Sequence, residues 1–191
     1  MRLAVAIQPI ADFNKPAIIV TTMATVREWP ADKDGPHVFH YVPSSMGQGV
    51  SLGLGLALAR PERRVIVIHG DGSTLMNLGS LVTIGHCQPR NYVLVVVDNG
   101  IYEVTGGQPH GGAGNVDFVG MAKACSIADA SAYVDPSVWA ANADDVLSRP
   151  GPVFISLKVE PRMGQPSPKP RRPMADQIHD LRRFLGIAEP A

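Results

Sequence analysis

Several features that are common in proteins are scarce in this sequence of 191 residues. It holds two cysteines, Cys87 and Cys125, whose separation matches no zinc or iron–sulfur motif. So few cysteines are typical of a reduced protein of the cytoplasm. Neither sign of charge is in excess, because the 17 basic residues (Lys and Arg) balance the 17 acidic residues (Asp and Glu). This balance gives no support to a nucleic-acid-binding function or to a polybasic membrane protein.

Long apolar runs are also missing. No run approaches the roughly 18 residues that a membrane helix requires, so we expect no membrane span. Residues 1–10 contain one Arg and an apolar stretch that Gln8 and Pro9 interrupt, which is too short and too broken for a signal peptide. We therefore expect a cytoplasmic protein.

Short apolar runs alternate with helical patterns, and 45% hydrophobic residues suffice for the core of one ordinary domain. Strands buried on both faces are predicted at Ala17–Thr22, Val38–Tyr41, 64–69, 92–97 and 152–158. Helices are predicted at 47–59, 74–86 and 174–185, with a helix, a short strand and a helix between 116 and 147. This alternation predicts an α/β fold, namely a doubly wound, mostly parallel sheet with helices on both faces.

We expect residues 1–160 to form this domain and residues 161–191 to form a tail rich in proline and arginine that ends in a helix. The glycines of the helix at 47–59 lower its stability, so they indicate close approach to another backbone or to a cofactor. A glycine-rich loop is predicted at 101–115. Arg171 and Arg172 of the tail are expected to be solvated, the alternative being attraction of an anionic substrate.

Polar motifs follow two of the predicted strands. Gly70-Asp71-Gly72-Ser73 comes after the strand at 64–69, and Asp98-Asn99-Gly100 comes after the strand at 92–97. One crossover helix between parallel strands brings their ends side by side, at the edge where open α/β sheets bind ligands. Helix N-termini attract phosphate there, and carboxylate, amide and carbonyl oxygens suit Mg²⁺. Either motif alone is more often a simple turn, so the inference depends on their occurrence together.

The segment from Gly70 to Gly100 resembles the diphosphate- and magnesium-binding signature of thiamine-diphosphate enzymes, which begins with GDG and ends in NN or DN. The resemblance implies thiamine diphosphate and Mg²⁺ as cofactors, with Asp71, Asn99 and the backbone carbonyl of Ile101 as metal ligands. It also implies cofactor contacts from residues around the two motifs, which are Gly70, Gly72, Ser73 and Tyr102.

Ser44-Ser45-Met46-Gly47 occupies the place where these enzymes put a bulky apolar residue beneath the cofactor. By this resemblance, Met46 takes part in catalysis, because it holds the bent cofactor shape that brings the imino nitrogen near the reactive thiazolium carbon. The carbonyl of Ser44 would accept a hydrogen bond from the aminopyrimidine, and Ser45 would adjoin the cofactor. The alternative is that Met46 is an ordinary core residue.

Two further segments narrow the resemblance. MNLGSLVTI after GDGS, and TGGQP at 105–109, are similar to the β subunits of the sulfopyruvate decarboxylase family and to the matching half of phosphonopyruvate decarboxylases. They imply the β subunit of a heteromeric 2-keto-acid decarboxylase, a carbon–carbon lyase. TGGQ also occurs in oxidoreductase β subunits, but two cysteines cannot hold a four-cysteine cluster. Glu103-Val104 stands where the decarboxylases have small residues. The resemblance therefore predicts the cofactor site but does not extend to the substrate pocket.

The activating glutamate of nearly all relatives lies on a separate pyrimidine-binding domain, which is about as large as this whole chain. None of the glutamates here lies in such a motif: Glu28, Glu62, Glu103, Glu160 and Glu189. We therefore expect a separate pyrimidine-domain α subunit as partner in a hetero-oligomer, a homodimer when the chain is alone, and a small 2-keto acid as substrate.

Two other functions stay open at this point. The chain could be half of another thiamine-diphosphate enzyme, a carboligase or 2-oxoacid oxidoreductase subunit, or a catalytically inactive cofactor-binding partner. His110 is the candidate proton donor or contact to the substrate carboxylate, with a solvated loop residue as the alternative. His40 is a weaker candidate for the cofactor cleft, and His69 reads as a hydrogen-bonded residue at a strand end.

Overall fold

The computed structural model describes residues 1–42 and 46–187. The strands are β1 (Ala17–Thr22), β2 (Val38–Tyr41), β3 (Arg64–Gly70), β4 (Tyr92–Asp98), β5 (Ile101–Tyr102), β6 (Gln108–Pro109), β7 (Asp129–Tyr133) and β8 (Val153–Lys158). The α-helices are α1 (Leu3–Ala11), α2 (Ala24–Glu28), α3 (Gly49–Ala59), α4 (Asp71–Met76), α5 (Gly79–Cys87), α6 (Phe118–Ala124), α7 (Pro136–Ser148) and α8 (Met174–Phe184). Within these two ranges, no helix is long and apolar enough to cross a membrane.

Six of the strands form one sheet in the order β2-β1-β3-β4-β8-β7, and every pair of neighbours in it is parallel. The predicted parallel sheet is confirmed. From β1 the chain moves outward to β2 and then crosses back to β3 on the other side of β1. The strand order therefore reverses between β1 and β3. The remaining strands, β5 and β6, form a short antiparallel hairpin beside the sheet.

Helices cover both faces of the sheet, as a doubly wound fold requires. On one face, α1 and α7 pack on strand residues such as Ile66 and Val95. On the other face, α3, α5, α6 and α8 pack on residues such as Val67 and Leu94. Because successive strand residues point to opposite faces, strands covered on both sides are apolar at every position. This explains the continuous apolar runs of the sequence.

Helix α3 lies unusually close to the sheet, as its glycines predicted. A Cβ atom on Gly53 would stand 2.1 Å from Cγ2 of Val67, and one on Gly49 would stand 2.6 Å from Cγ2 of Thr22. Both distances are far shorter than any van der Waals contact. Gly53 therefore gives up helix propensity in exchange for close packing of the helix on the sheet.

The helix predicted at 74–86 begins earlier and is interrupted. Helix α4 starts at Asp71, directly after β3, and α5 starts at Gly79. Between them Asn77 leaves the helical conformation with φ −132° and ψ 47°, and its carbonyl accepts a hydrogen bond from the Ser80 hydroxyl at 2.7 Å. The GDGS motif therefore opens a short helix instead of forming a loop before a long one.

Helices α1 and α2 were not predicted. The buried residues of α1 recur at helical spacing, but Pro9 interrupts the pattern. The helix packs on α7, where the indole Nε1 of Trp139 donates a hydrogen bond to the carbonyl of Ala6 at 2.9 Å. The 3.6-residue period was a usable signal for α1, whereas the five residues of α2 are too few to show one.

The tail at 161–173 has no regular helix or strand, yet it is fastened to the domain. Arg171 donates hydrogen bonds to the carbonyls of Val26 and Trp29, and Arg172 pairs with Asp180. Arg171 is exposed and Arg172 is partly buried, so both stay in contact with solvent while these hydrogen bonds hold them to the domain. After the tail, α8 packs on β2 and buries Leu181 in the core.

The close packing of α3 predicts opposite effects for two neighbouring glycines. Gly53→Ala places a methyl group inside the Val67 side chain and should lower the free energy of unfolding by about 1–3 kcal/mol. A Cβ on Gly55 would meet nothing within 4 Å, so Gly55→Ala should raise the free energy of unfolding by up to about 1 kcal/mol. Urea unfolding of the two variants measures both values. Equal changes would contradict the close approach of α3.

Candidate active site

A cavity of about 290 Å³ opens at the carboxyl ends of β1, β3 and β4. It lies beside the point where the strand order reverses, which is where open α/β sheets bind ligands. The predicted cofactor and metal residues that line it together are Met46, Gly70, Asp71, Gly72, Ser73, Asn99, Ile101 and Tyr102. The predictions for Ser44 and Ser45 fall outside the described residues.

Asp71 is the most heavily hydrogen-bonded side chain of this cavity, and it is 2% exposed. Its Oδ2 accepts hydrogen bonds from the backbone N–H groups of Asn99 at 2.9 Å and Gly100 at 2.6 Å. The same oxygen accepts a third from Nε2 of His110 at 3.0 Å. Oδ1 accepts one from the N–H of Gly72 at 2.7 Å, which leaves this oxygen with capacity for a cation.

Asn99 is held at both ends of its side-chain amide. Its Oδ1 accepts a hydrogen bond from the N–H of Ile101 at 3.0 Å, and its Nδ2 donates one to Oε2 of Glu103 at 3.0 Å. The carbonyl of Ile101 is the third predicted metal ligand. Across the β5–β6 hairpin Ile101 stands opposite Pro109, which has no N–H to donate to it.

These groups fit a magnesium ion. A carboxylate, an amide oxygen and a carbonyl oxygen line one cavity, and Mg²⁺ prefers such hard ligands, with phosphate oxygens and water completing its octahedron. In residues 1–42 and 46–187, no group of three or more His, Cys, Asp and Glu side chains is placed to hold a metal. The predicted site therefore depends on Asp71 together with amide and carbonyl oxygens.

Asp98 of the Asp98-Asn99-Gly100 motif does not line the cavity. Its two carboxylate oxygens accept hydrogen bonds from Nζ of Lys158 at 3.0 and 3.1 Å. Burial raises the pKa of Asp98 and the nearby Asp71 carboxylate adds to the rise, whereas Lys158 opposes it. Of the two polar side chains in this motif, only Asn99 lines the cavity.

The glycine at 72 makes room for an aromatic wall. A Cβ on Gly72 would lie 2.6 Å from Cε1 of Tyr102, so only glycine lets the ring lie this close to α4. The Tyr102 ring also meets the ring of His110 nearly edge to face, with 5.9 Å between centroids. Tyr102 therefore packs between α4 and the loop that carries His110.

Met46 lines the cavity at its outer edge. The residue is 65% exposed, which does not fit the alternative that it is an ordinary core residue. Its φ of 53° lies in the left-handed region, which long side chains rarely adopt. Strained backbone of this kind is concentrated at functional sites, and Met46 lines the cavity where one is predicted.

His110 is placed behind Asp71 and does not line the cavity. It is 3% exposed, and its Nδ1 accepts a hydrogen bond from the N–H of Gly112 at 3.1 Å. The proton of the neutral ring therefore sits on Nε2 and is donated to Asp71. This placement does not fit the predicted role as proton donor to the substrate, because both ring nitrogens are already engaged inside the protein.

The other two candidate histidines, His69 and His40, are hydrogen-bonded within the protein. His69 is fully buried with Nδ1 3.1 Å from Oγ1 of Thr22, and burial lowers the pKa of His69 to about 4, so the ring is neutral at pH 7. His40 is buried away from the cavity, with Nδ1 2.6 Å from Oγ1 of Thr21 and Nε2 3.2 Å from Asp34. The idea that His40 lines the cleft is not supported.

One part of the wall was not predicted from the sequence. Residues 22–25, at the end of β1 and the start of α2, line the cavity together with Glu103. The side chain of Glu103 is 4% exposed and pairs with Arg27 of α2. The sequence did single out Glu103, because it stands where the related decarboxylases have a small residue. Nothing in the sequence connects Glu103 to Arg27.

Comparison with known proteins agrees with this geometry. The family model described as the thiamine pyrophosphate enzyme, C-terminal TPP binding domain, matches residues 20–157. The sulfopyruvate decarboxylase subunit beta of Methanothermobacter thermautotrophicus is 40% identical over 135 residues, which cover 71% of this chain and 69% of that protein. The same subunit of Methanocaldococcus jannaschii is 52% identical over 87 residues, 46% of each chain.

A longer but more distant match is the phosphonopyruvate decarboxylase of Streptomyces viridochromogenes. It is 31% identical over 184 residues, which cover 96% of this chain and 46% of that protein. The match thus spans about half the length of this relative, as it does for the Methanocaldococcus jannaschii subunit.

Among solved structures, a Mycobacterium smegmatis protein provisionally described as a thiamin diphosphate-dependent enzyme shares the fold. Its TM-score is 0.66 at 22% identity, and the match covers 85% of this chain and 32% of that one. The cavity lies at the sheet edge that the resemblance predicted, and the family model covers most of the sheet. The chain therefore belongs to the thiamine pyrophosphate enzymes, in the family of their C-terminal, TPP-binding domain.

Proposed function

We propose that this chain is the diphosphate-binding β subunit of a heteromeric 2-keto-acid decarboxylase, a carbon–carbon lyase that needs a pyrimidine-domain partner. The observation that carries the proposal is that oxygen-bearing residues Asp71, Asn99 and Ile101 line one cavity at the strand ends. The names of the relatives support a substrate such as sulfopyruvate or phosphonopyruvate, a 2-keto acid that carries a second anionic group.

Each part of the cavity has a proposed task. Asp71, Asn99 and the Ile101 carbonyl would hold Mg²⁺, and the amides around Gly72 and Ser73 would contact the diphosphate. Bound thiamine diphosphate supplies the nucleophilic carbon and the electron sink that decarboxylation needs. Met46 would support the bent cofactor. The contacts proposed for Ser44 and Ser45 rest on the family resemblance.

Gly70 and Tyr102 complete the proposed cofactor contacts. Gly70 ends β3 and forms the N-cap of α4, so it stands at the strand end that meets the cavity. The ring of Tyr102 would shield the metal side of the cavity from water, because it packs directly over α4 at Gly72. Excluding water strengthens the electrostatic interactions inside such a site.

The activating glutamate is proposed to come from the partner. Glu103 is engaged by Arg27 and Asn99, and Glu28 pairs with Arg162, so neither is placed to act on the aminopyrimidine. Two large apolar side chains that line the cavity, Met46 and Met76, are exposed. Such surfaces commonly mark interfaces, so we propose that the partner covers them and that the isolated chain pairs with itself.

The two-subunit proposal predicts that the purified chain, given thiamine diphosphate and Mg²⁺, releases no CO₂ from sulfopyruvate, phosphonopyruvate or pyruvate. The complex with a pyrimidine-domain partner should decarboxylate at least one of them, because catalysis requires groups on both sides of the cleft. A coupled assay of CO₂ release measures the activity of the isolated chain and of the complex. The control is the complex in which the activating glutamate of the partner is changed to Gln, which should be inactive.

The outcomes of this assay separate the alternative functions. Full turnover by the chain alone would contradict the need for a partner. A ligated product in place of the free aldehyde would identify a carboligase, and electron transfer to an added acceptor would identify an oxidoreductase. A complex that binds the cofactor yet turns over none of these substrates would favour the inactive partner subunit.

The metal site predicts the effect of Asp71→Asn. This change keeps the side-chain shape and removes the charge, whereas Ala would leave four buried N–H groups without an acceptor, each at a cost of about 1–3 kcal/mol. We expect the affinity for thiamine diphosphate in the presence of Mg²⁺ to fall by about 100-fold or more. Calorimetric titration of the assembled complex with thiamine diphosphate measures this affinity. Asp117→Asn, at an exposed helix cap, is the control and should bind normally.

The placement of His110 predicts a separation of metal affinity from turnover. His110→Phe keeps a ring of similar size but removes the N–H that supports Asp71, so Mg²⁺ affinity should fall by about 10- to 100-fold. The turnover number at saturating Mg²⁺ should stay near that of the wild type, because His110 does not line the cavity. His179→Phe, on the exposed side of α8, is the control. A loss of turnover that saturating Mg²⁺ does not restore would reinstate His110 as a proton donor.

A further inference from the structure

Glu103 places a buried carboxylate beside the predicted metal site. Its side chain is 4% exposed, and the residue lines the cavity together with Asn99. Oε2 accepts a hydrogen bond from Nδ2 of Asn99 at 3.0 Å, and Oε1 accepts one from Nη2 of Arg27. Both oxygens thus contact partners within the chain, and Oε2 is the one that meets the amide of Asn99.

The two ends of a side-chain amide have nearly the same shape, so the hydrogen bonds around it decide where its oxygen points. The carboxylate of Glu103 accepts only hydrogen bonds, which places Nδ2 of Asn99 on its side. Oδ1 is thereby turned the other way, where the N–H of Ile101 reaches it at 3.0 Å. A charged acceptor also makes a stronger hydrogen bond than a neutral one, and it polarises the amide so that more negative charge lies on Oδ1.

We propose that Glu103 is a positioning residue of this site, which holds the amide of Asn99 so that its oxygen is presented to Mg²⁺. This inference rests on the proposed function, because it takes Asn99 as a metal ligand. Groups that stand behind metal ligands commonly set the affinity of a site, since they orient the ligand and raise its basicity.

Arg27 supplies the counter-charge that Glu103 needs. A buried carboxylate without a close cation destabilises the folded state. The guanidinium is itself held by further contacts, because Nη1 donates to the carbonyl of Pro166 at 2.9 Å and Nε lies 3.7 Å from Oε1 of Glu28. Through Arg27, helix α2 and the tail are both connected to the metal ligand Asn99.

The test measures the affinity for Mg²⁺ by calorimetry at saturating thiamine diphosphate, on the full chain assembled with its partner. Glu103→Ala removes both hydrogen bonds and should weaken Mg²⁺ binding by about 10- to 100-fold. Glu103→Gln keeps the shape and one acceptor but removes the charge, so it should weaken binding by a smaller factor. Thermal unfolding without metal is followed in parallel, and Glu103→Gln decides the result if Glu103→Ala does not fold.

Glu28→Gln is the matched control, because it removes a negative charge beside the same arginine without touching Asn99. It should bind Mg²⁺ as the wild type does. Saturating Mg²⁺ should restore the cofactor affinity of Glu103→Gln, which general damage to the fold would not allow. Unchanged Mg²⁺ affinity in both Glu103 variants overturns the inference, as do equal losses in Glu28→Gln and Glu103→Gln. A wild-type complex whose cofactor binding does not depend on Mg²⁺ overturns the proposed metal site itself.

Discussion

The carboxylate of Asp71 joins the carboxyl ends of β3 and β4, and the rest of the cavity is arranged around it. A charge buried to this degree is tolerated only when close donors surround it. The backbone of Asn99 and Gly100 and the ring of His110 supply those donors to one oxygen. The chain after β4 must therefore return to β3, which brings Asn99 and Ile101 beside Asp71. The same contacts leave the other oxygen with a single donor and capacity for a cation.

The order of the strands decides where this carboxylate can meet a ligand. Because the order reverses between β1 and β3, the helices that follow these two strands leave the sheet on different sides and open a crevice at its edge. Beside this crevice, Gly47 lets the chain that carries Met46 approach α4 closely, because a Cβ on Gly47 would lie 2.6 Å from the carbonyl oxygen of Ser73. Met46 and Ser73 both line the cavity.

The tail extends this arrangement beyond the sheet. Arg27 joins Glu103 to the carbonyl of Pro166, and the Ser167 hydroxyl donates to the carbonyl of Val104 at 3.0 Å. Arg171 fastens the end of the tail to the carbonyls of α2 and the residue after it. A segment rich in proline and polar residues therefore contributes to a structured site, because its hydrogen bonds are made to α2 and to the turn at 103–105.

The parallel sheet, the family and the two motifs at the strand ends could all be predicted before the structure was known. These features are written in local patterns, because continuous apolar runs and glycine-flanked acidic residues are visible within a few positions. The folded structure was needed to show that Asn99 rather than Asp98 lines the cavity, and that His110 stands behind Asp71. It also decided that Arg27 meets Glu103 and that α1 forms despite Pro9. Each of these outcomes depends on contacts between residues far apart in the chain, whose energies outweigh the local preferences that a sequence pattern can reveal.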